Sequence, residues 1–169
     1  MRPAQHATGK HHPHHAGHEH NPPAVVTSFI ALHLADAQQV SQATGVPVSV
    51  ILAQSGLESG WGTRVVGYAY FGVKGHAPDG SSTKFVTHEV VHGKSTVLKA
   101  TFRDYTSYSE AALDYAQMLR RVFPQAFLEK DSIKFVAHLH RYATDGRYVP
   151  KVQGIIRHNN LQQYDTKTP

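Results

Sequence analysis

The chain has 169 residues, no cysteine, 40% hydrophobic residues and a formal net charge of +5. That is enough chain for one domain with a real core, and no stretch of about 18 apolar residues is present to span a membrane. Disulfides, Cys-based zinc sites and a cysteine nucleophile are excluded, while the basic balance favours an anionic partner such as nucleic acid, anionic lipid or an acidic cell-wall polymer.

Residues 1–23 read as a disordered tail. Seven of the fourteen histidines lie there: His6, His11, His12, His14, His15, His18 and His20. Pro13, Pro22 and Pro23 break helices, and the segment has too few large apolar side chains to build a core. Weak binding of Zn²⁺, Ni²⁺ or Cu²⁺ by its imidazoles is the functional alternative. The start of the chain also lacks the apolar core of a secretory signal. The expectation is synthesis in the cytoplasm, with any work outside it reached by another route.

The folded domain is expected over residues 24–169. Ile30, Leu34, Ala37 and Val40 give a first helix, Thr27 to about Ala43, ended by Gly45-Val46-Pro47. A second helix runs from Pro47 or Val48 to Ser59, with Val48, Ile51, Leu52 and Ser55 as its apolar stripe and Gly60 and Gly62 as its stop. A loop-rich stretch follows. Alternation then predicts a β-hairpin, with Phe85, Thr87 and Glu89 on one face, Val86, His88 and Val90 on the other. His92-Gly93-Lys94-Ser95 reads as its turn and Val97–Arg103 as the return strand. Ser107-Tyr108-Ser109-Glu110 is a capping box opening a third helix, with Ala112, Tyr115, Ala116, Leu119 and Val122 on its face. A fourth helix starts at Asp131-Ser132, carries Phe135, Val136 and Leu139, and is expected to reach Tyr142. A fifth starts near Tyr148 or Pro150. Helices, one hairpin, then helices make an α+β domain of lysozyme-like order.

Glu58 is the most informative residue. It returns to the face of Ile51 at the C-terminal end of an apolar helix. Burial and the negative end of the helix dipole both disfavour the carboxylate and raise its pKa. That suits a general acid; the alternative is a helix-end Glu turned to solvent. Glu89, on the hairpin, can face it as a second carboxylate, the pairing used by glycosidases, or be an ordinary exposed strand residue. Tyr142, Tyr148, Trp61 and Phe71 can line a sugar cleft or serve the core.

Four segments carry a resemblance. The Ala53-Gln54 to Glu58-Ser59-Gly60-Trp61-Gly62 stretch is similar to the catalytic helix end of bacterial peptidoglycan N-acetylglucosaminidases, glycoside hydrolase family 73. Phe71-Gly72-Val73-Lys74-Gly75 resembles the family's Phe-Gly-Ile-Lys-Gly segment. Thr87-His88-Glu89 resembles its Thr-x-Glu hairpin, and Tyr142-Ala143-Thr144-Asp145 with Tyr148 its Tyr-Ala-Thr-Asp-Pro-x-Tyr turn. The resemblance covers roughly residues 27–160 and implies a lysozyme-like fold. It implies cleavage of the β-1,4 bond between N-acetylglucosamine and N-acetylmuramic acid, without metal or other cofactor. It assigns Glu58 as catalytic acid, Glu89 as second carboxylate and Tyr142 as a tyrosine at the reaction site. Phe71, Trp61, Tyr148, Lys74 and Thr87 become candidates for substrate contacts.

Gly146 stands where the family has proline, Tyr68-Ala69-Tyr70 replaces an Asn-Asn-Leu-like stretch, and Ser55-Gly56 replaces an Ala-Ala pair. A carboxylate separation of roughly 6.5–9.5 Å would suit inversion and about 5–5.5 Å retention, with the substrate's acetamido group as a third nucleophile. The family also implies peptidoglycan strands as partner, and the free protein is expected to be a monomer. A type VI secretion effector acting in a rival's periplasm, held in check by a cognate immunity protein over the cleft, is favoured over a phage lysin or a flagellar assembly hydrolase. Competing classes are a muramidase and a non-catalytic glycan- or protein-binding module on the same fold. A metal-binding or nucleic-acid-binding protein, resting on the His tail and the charge, is least favoured, and no nucleic-acid partner is expected because no base-reading motif appears.

Overall fold

The computed structural model describes residues 22–165, except the side chain of Thr87; the His-rich segment up to Asn21 lies outside the described residues. The elements are α1 (Ala24–Thr44), α2 (Val48–Ser59), β1 (Ser82–Val91), β2 (Lys94–Arg103), α3 (Tyr108–Val122), a 3₁₀ turn (Pro124–Leu128), α4 (Ser132–Ala137), α5 (Tyr148–His158) and a last 3₁₀ turn (Leu161–Tyr164). Among the described residues no helix is long and apolar enough to cross a membrane.

The fold is built around α2. Every residue from Val48 to Gly56 is buried, so the expected single apolar stripe is instead a helix covered on all sides. It packs against α1, α4, α5 and the last 3₁₀ turn. This is why its apolar residues lie all round the helix rather than on one stripe. Its start, after Pro47, has no local side-chain cap. Asp165 supplies one from the other end of the chain, accepting from the Ser49 amide at 2.8 Å and the Ser49 hydroxyl at 2.7 Å. A carboxylate there satisfies free amides and complements the helix dipole, so the last turn of the domain pins the first turn of its central helix.

At its far end α2 stops in an uncommon turn. Gly60, Trp61 and Gly62 all have positive φ, at 58°, 57° and 82°. Trp61 bears the steric cost of a left-handed conformation. Its ring lies flat over Gly56, where an added Cβ would come within 2.6 Å of it. The glycine that departs from the family's alanine is thus the residue that admits the indole.

β1 and β2 form a two-stranded antiparallel sheet with Glu89 opposite Thr96 and Thr83 opposite Phe102. Lys74 adds an isolated bridge to Phe102. The turn is tighter than the sequence pattern suggests. His92 and Gly93 alone make it, both at positive φ (49° and 75°), as a two-residue hairpin turn requires. The hairpin is moored to α3 by Asp114, which accepts from Arg103 at 2.9 Å and from the Tyr105 hydroxyl at 2.5 Å.

The third helix is capped as expected, Ser107 Oγ accepting from the Glu110 amide at 3.1 Å. Glu110 reaches back to Thr106, one residue further than the motif implies. The fourth helix is shorter than expected, ending at Ala137. The chain from there to Tyr142 runs through turns, which puts Tyr142 on a loop.

Candidate active site

A cleft of about 430 Å³ lies between the helical lobe and the hairpin. Glu58, Gly72, Lys74, His88, Glu89 and Tyr142 line it, with Phe102, Met118 and Phe123 among its apolar walls and Arg141 at the side. The sequence-predicted pair of carboxylates therefore opens into one space, one from the helical lobe and one from the hairpin.

Glu58 is half-buried at the end of α2. Burial pushes its carboxyl up to about 7, against a hydrogen bond from Tyr148 that acts in the opposite direction. Desolvation penalises the charged form because the apolar surroundings cannot replace its hydration. Gly72 passes directly over the carboxyl: a Cβ built there would sit 2.9 Å from Glu58 Oε2, with φ at +61°. The glycine of the Phe-Gly-Val-Lys-Gly segment makes room for the acid.

Glu89 is mostly shielded and pairs with the more exposed ammonium of Lys74. Lys74 is placed by its bridge to the hairpin, so the pair ties the loop strand to β1 at the cleft wall. Tyr142 lines the cleft with its ring, but its hydroxyl donates to the Phe71 carbonyl at 2.5 Å. Burial first, and then the neighbouring Tyr148 and Glu58, keep that phenol far above its ordinary range. It is a neutral donor, engaged by backbone.

Other candidates lie elsewhere. Phe71 is 2% exposed and stacks on Tyr115 at 4.2 Å, so it belongs to the core and shapes the cleft through its carbonyl. Tyr148 is also buried, stacked on Tyr142 at 5.3 Å, and stands behind Glu58. Trp61 does not line the cleft. It meets Phe29 edge-on at 5.5 Å and borders a separate shallow, mainly apolar hollow with Val26, Leu57 and Ile155. The left-handed turn at Gly60–Gly62 sends the indole back over Gly56, away from Glu58. The side chain of Thr87 lies outside the described residues.

Sequence reasoning did not single out His88, Arg141 or Met118 for the cleft, since their positions depend on how the hairpin and the loop after α4 fold over it. It also passed over Gln54 as a site residue, although a fully buried amide four residues before Glu58 on an apolar helix is a readable signal. Among the described residues no group of three or more His, Asp or Glu side chains is placed to hold a metal ion.

Comparison with known proteins finds relatives of the whole domain. Residues 34–161 match the family model described as Glucosaminidase, mannosyl-glycoprotein endo-beta-N-acetylglucosaminidase. The chain is 36% identical over 143 residues to the peptidoglycan hydrolase FlgJ of Salmonella typhimurium, covering 76% of this chain and 45% of that protein. It spans less than half the length of the curated relatives it matches first. The catalytic domain of the autolysin Auto from Listeria monocytogenes superimposes with a TM-score of 0.72 at 30% identity, covering 88% of this chain and 92% of that one. A type VI secretion effector–immunity complex from Pseudomonas protegens contains a chain of the same fold, at a TM-score of 0.55 and 20% identity, with 82% and 94% covered.

Proposed function

This chain belongs to the glucosaminidase family, glycoside hydrolase family 73, and from that premise we propose that it hydrolyses peptidoglycan. The bond cut is the β-1,4 linkage between N-acetylglucosamine and N-acetylmuramic acid. The observation that carries the reading is Glu58, a carboxyl held up to about 7 in a cleft whose other lobe presents Glu89. In this scheme Glu58 keeps its proton near neutral pH and delivers it to the leaving glycosidic oxygen. Glu89 is the second carboxylate, and the Tyr142 ring and Lys74 border the sugar. Similarity to a protein named as a peptidoglycan hydrolase and the net charge of +5 support an anionic wall polymer as substrate.

The test is a digest of purified peptidoglycan, reduced with borohydride and read by mass spectrometry. Reduced N-acetylglucosamine ends are expected. Reduced muramic acid ends would make the enzyme a muramidase, and no cleavage, where a control enzyme works, would favour a binding module.

For its setting, the reading is an antibacterial effector that acts on the wall of a target cell and is countered by a cognate immunity protein seated over the cleft. The shared fold with an effector–immunity complex supports it. Expression directed to the periplasm of a Gram-negative host is expected to lyse the cells. Expression in the cytoplasm, or of Glu58→Gln in the periplasm, is expected to be tolerated. Survival with the wild-type protein in the periplasm would sink this setting.

A further inference from the structure

Behind Glu58 lies a chain of buried polar groups that the proposed reaction does not itself use. Tyr115, on α3, donates its hydroxyl to Gln54 Oε1. Gln54 Nε2 donates to the Tyr148 hydroxyl oxygen at 2.6 Å. The Tyr148 hydroxyl in turn neighbours the Glu58 carboxyl and favours its charged form. Tyr115 and Gln54 are wholly buried and Tyr148 nearly so. Three elements, α2, α3 and α5, each contribute one member.

The direction of this chain follows from the way the Gln54 amide is turned. An amide nitrogen has only protons to give and an amide oxygen only lone pairs. Here Oε1 faces Tyr115 and Nε2 faces Tyr148, so the Tyr148 oxygen accepts there; an amide turned the other way would reverse the chain. The single proton of Tyr148 is then left for Glu58. In a protonated carboxyl the carbonyl oxygen is the better acceptor, so a donor at one oxygen leaves the acidic proton on the other.

We propose that Gln54 is a positioning residue that sets the direction of the chain from Tyr115 through Tyr148 to Glu58 and so determines which Glu58 oxygen presents its proton to the cleft. This rests on the reading of Glu58 as the acid. Hydrogen bonds in series inside a low-dielectric core polarise one another, so the effect of Gln54 reaches Glu58 without contact. The other groups facing the carboxyl are the Tyr142 phenol and the Gly72 backbone. Lys74, His88, Glu89 and Arg141 share the cleft with it.

The test compares wild type, Gln54→Met and Tyr148→Phe in the full chain. It measures kcat and KM against pH, and the titration of the Glu58 carboxyl by carbon NMR without substrate. Donation from Tyr148 favours the carboxylate, so losing it raises the midpoint. The midpoint is therefore expected to move upward in Tyr148→Phe and less so in Gln54→Met, with the basic limb of kcat following. kcat is expected to fall roughly tenfold to a hundredfold through misorientation, with KM nearly unchanged. If Gln54→Met does not fold, Tyr115→Phe, which removes one hydroxyl and leaves the amide free to turn, is expected to give the upward shift. A midpoint that moves in Tyr148→Phe but in neither Gln54→Met nor Tyr115→Phe overturns the role of Gln54. A Glu58→Gln protein that still cleaves peptidoglycan refutes instead the assignment of the acid, while the NMR midpoints still report whether the chain acts on Glu58.

Discussion

Glu58→Gln is expected to lower kcat by two to four orders of magnitude, the usual range for loss of a positioned general acid, while leaving the fold intact. Gln matches the shape of the protonated carboxyl but has no proton acidic enough to give. In the wild type, a carboxyl that titrates near 7 predicts a basic limb in kcat there, with activity falling about tenfold per pH unit above it. The same shift bears on stability with a definite sign. The folded-state value lies above the usual 4.5, so the native protein holds this proton more tightly than the unfolded chain. The resulting stability is fully present below 4.5 and is lost as pH rises to about 7. Gln stays neutral throughout and escapes that loss. Thermal melts of the two proteins at pH 5 and pH 8 are expected to show the variant gaining on the wild type as pH rises. A difference in Tm that does not grow would mean that Glu58 is not held in a desolvated site.

Gly72→Ala is expected to reduce kcat by roughly a hundredfold, the scale of loss from small displacements of a reacting group. Its Cβ would lie 2.9 Å from Glu58 Oε2 and 3.3 Å from Cδ, closer than non-bonded atoms rest. Either the carboxyl turns away or the segment carrying Lys74 and Tyr142's acceptor, the Phe71 carbonyl, lifts off. The backbone at φ +61° adds about 1–3 kcal/mol of strain for a residue with a Cβ. Gly80→Ala separates the two effects. Gly80 also has positive φ, 88°, but nothing lies within 4 Å of its Cβ position. That variant is expected to lose stability and keep kcat. If Gly72→Ala cleaves at the rate of Gly80→Ala, its steric role at the acid is wrong.

The legible parts of this protein are those with a local cause. The second and fifth helices begin where proline and the Tyr148 turn place them, and the capping serine of α3 binds its amide as the pattern requires. The hairpin was legible from alternation, although its turn proved to be the two residues His92 and Gly93. The fourth helix was overextended because Phe135, Val136 and Leu139 continue a helical spacing into the turns that follow Ala137. Periodicity records which side chains are buried, and a buried turn at the right spacing satisfies it equally.

The candidate site divides along the same line. Glu58 was visible from sequence because a carboxylate at the end of an apolar helix has a physical cost wherever that helix lies. The sequence by itself determined the composition of the core, the central apolar helix and the presence of an acid at its end. Only the tertiary structure decided which side chains face that acid. It turned Trp61 away over Gly56, buried Phe71 and Tyr148 behind the cleft, paired Glu89 with Lys74 and lined up Tyr115, Gln54 and Tyr148 beneath Glu58. Local propensity acts over a few residues, whereas Tyr115 and Gln54 are 61 residues apart and Gln54 and Tyr148 are 94 apart, and their spacing along the chain holds no record of the packing that joins them.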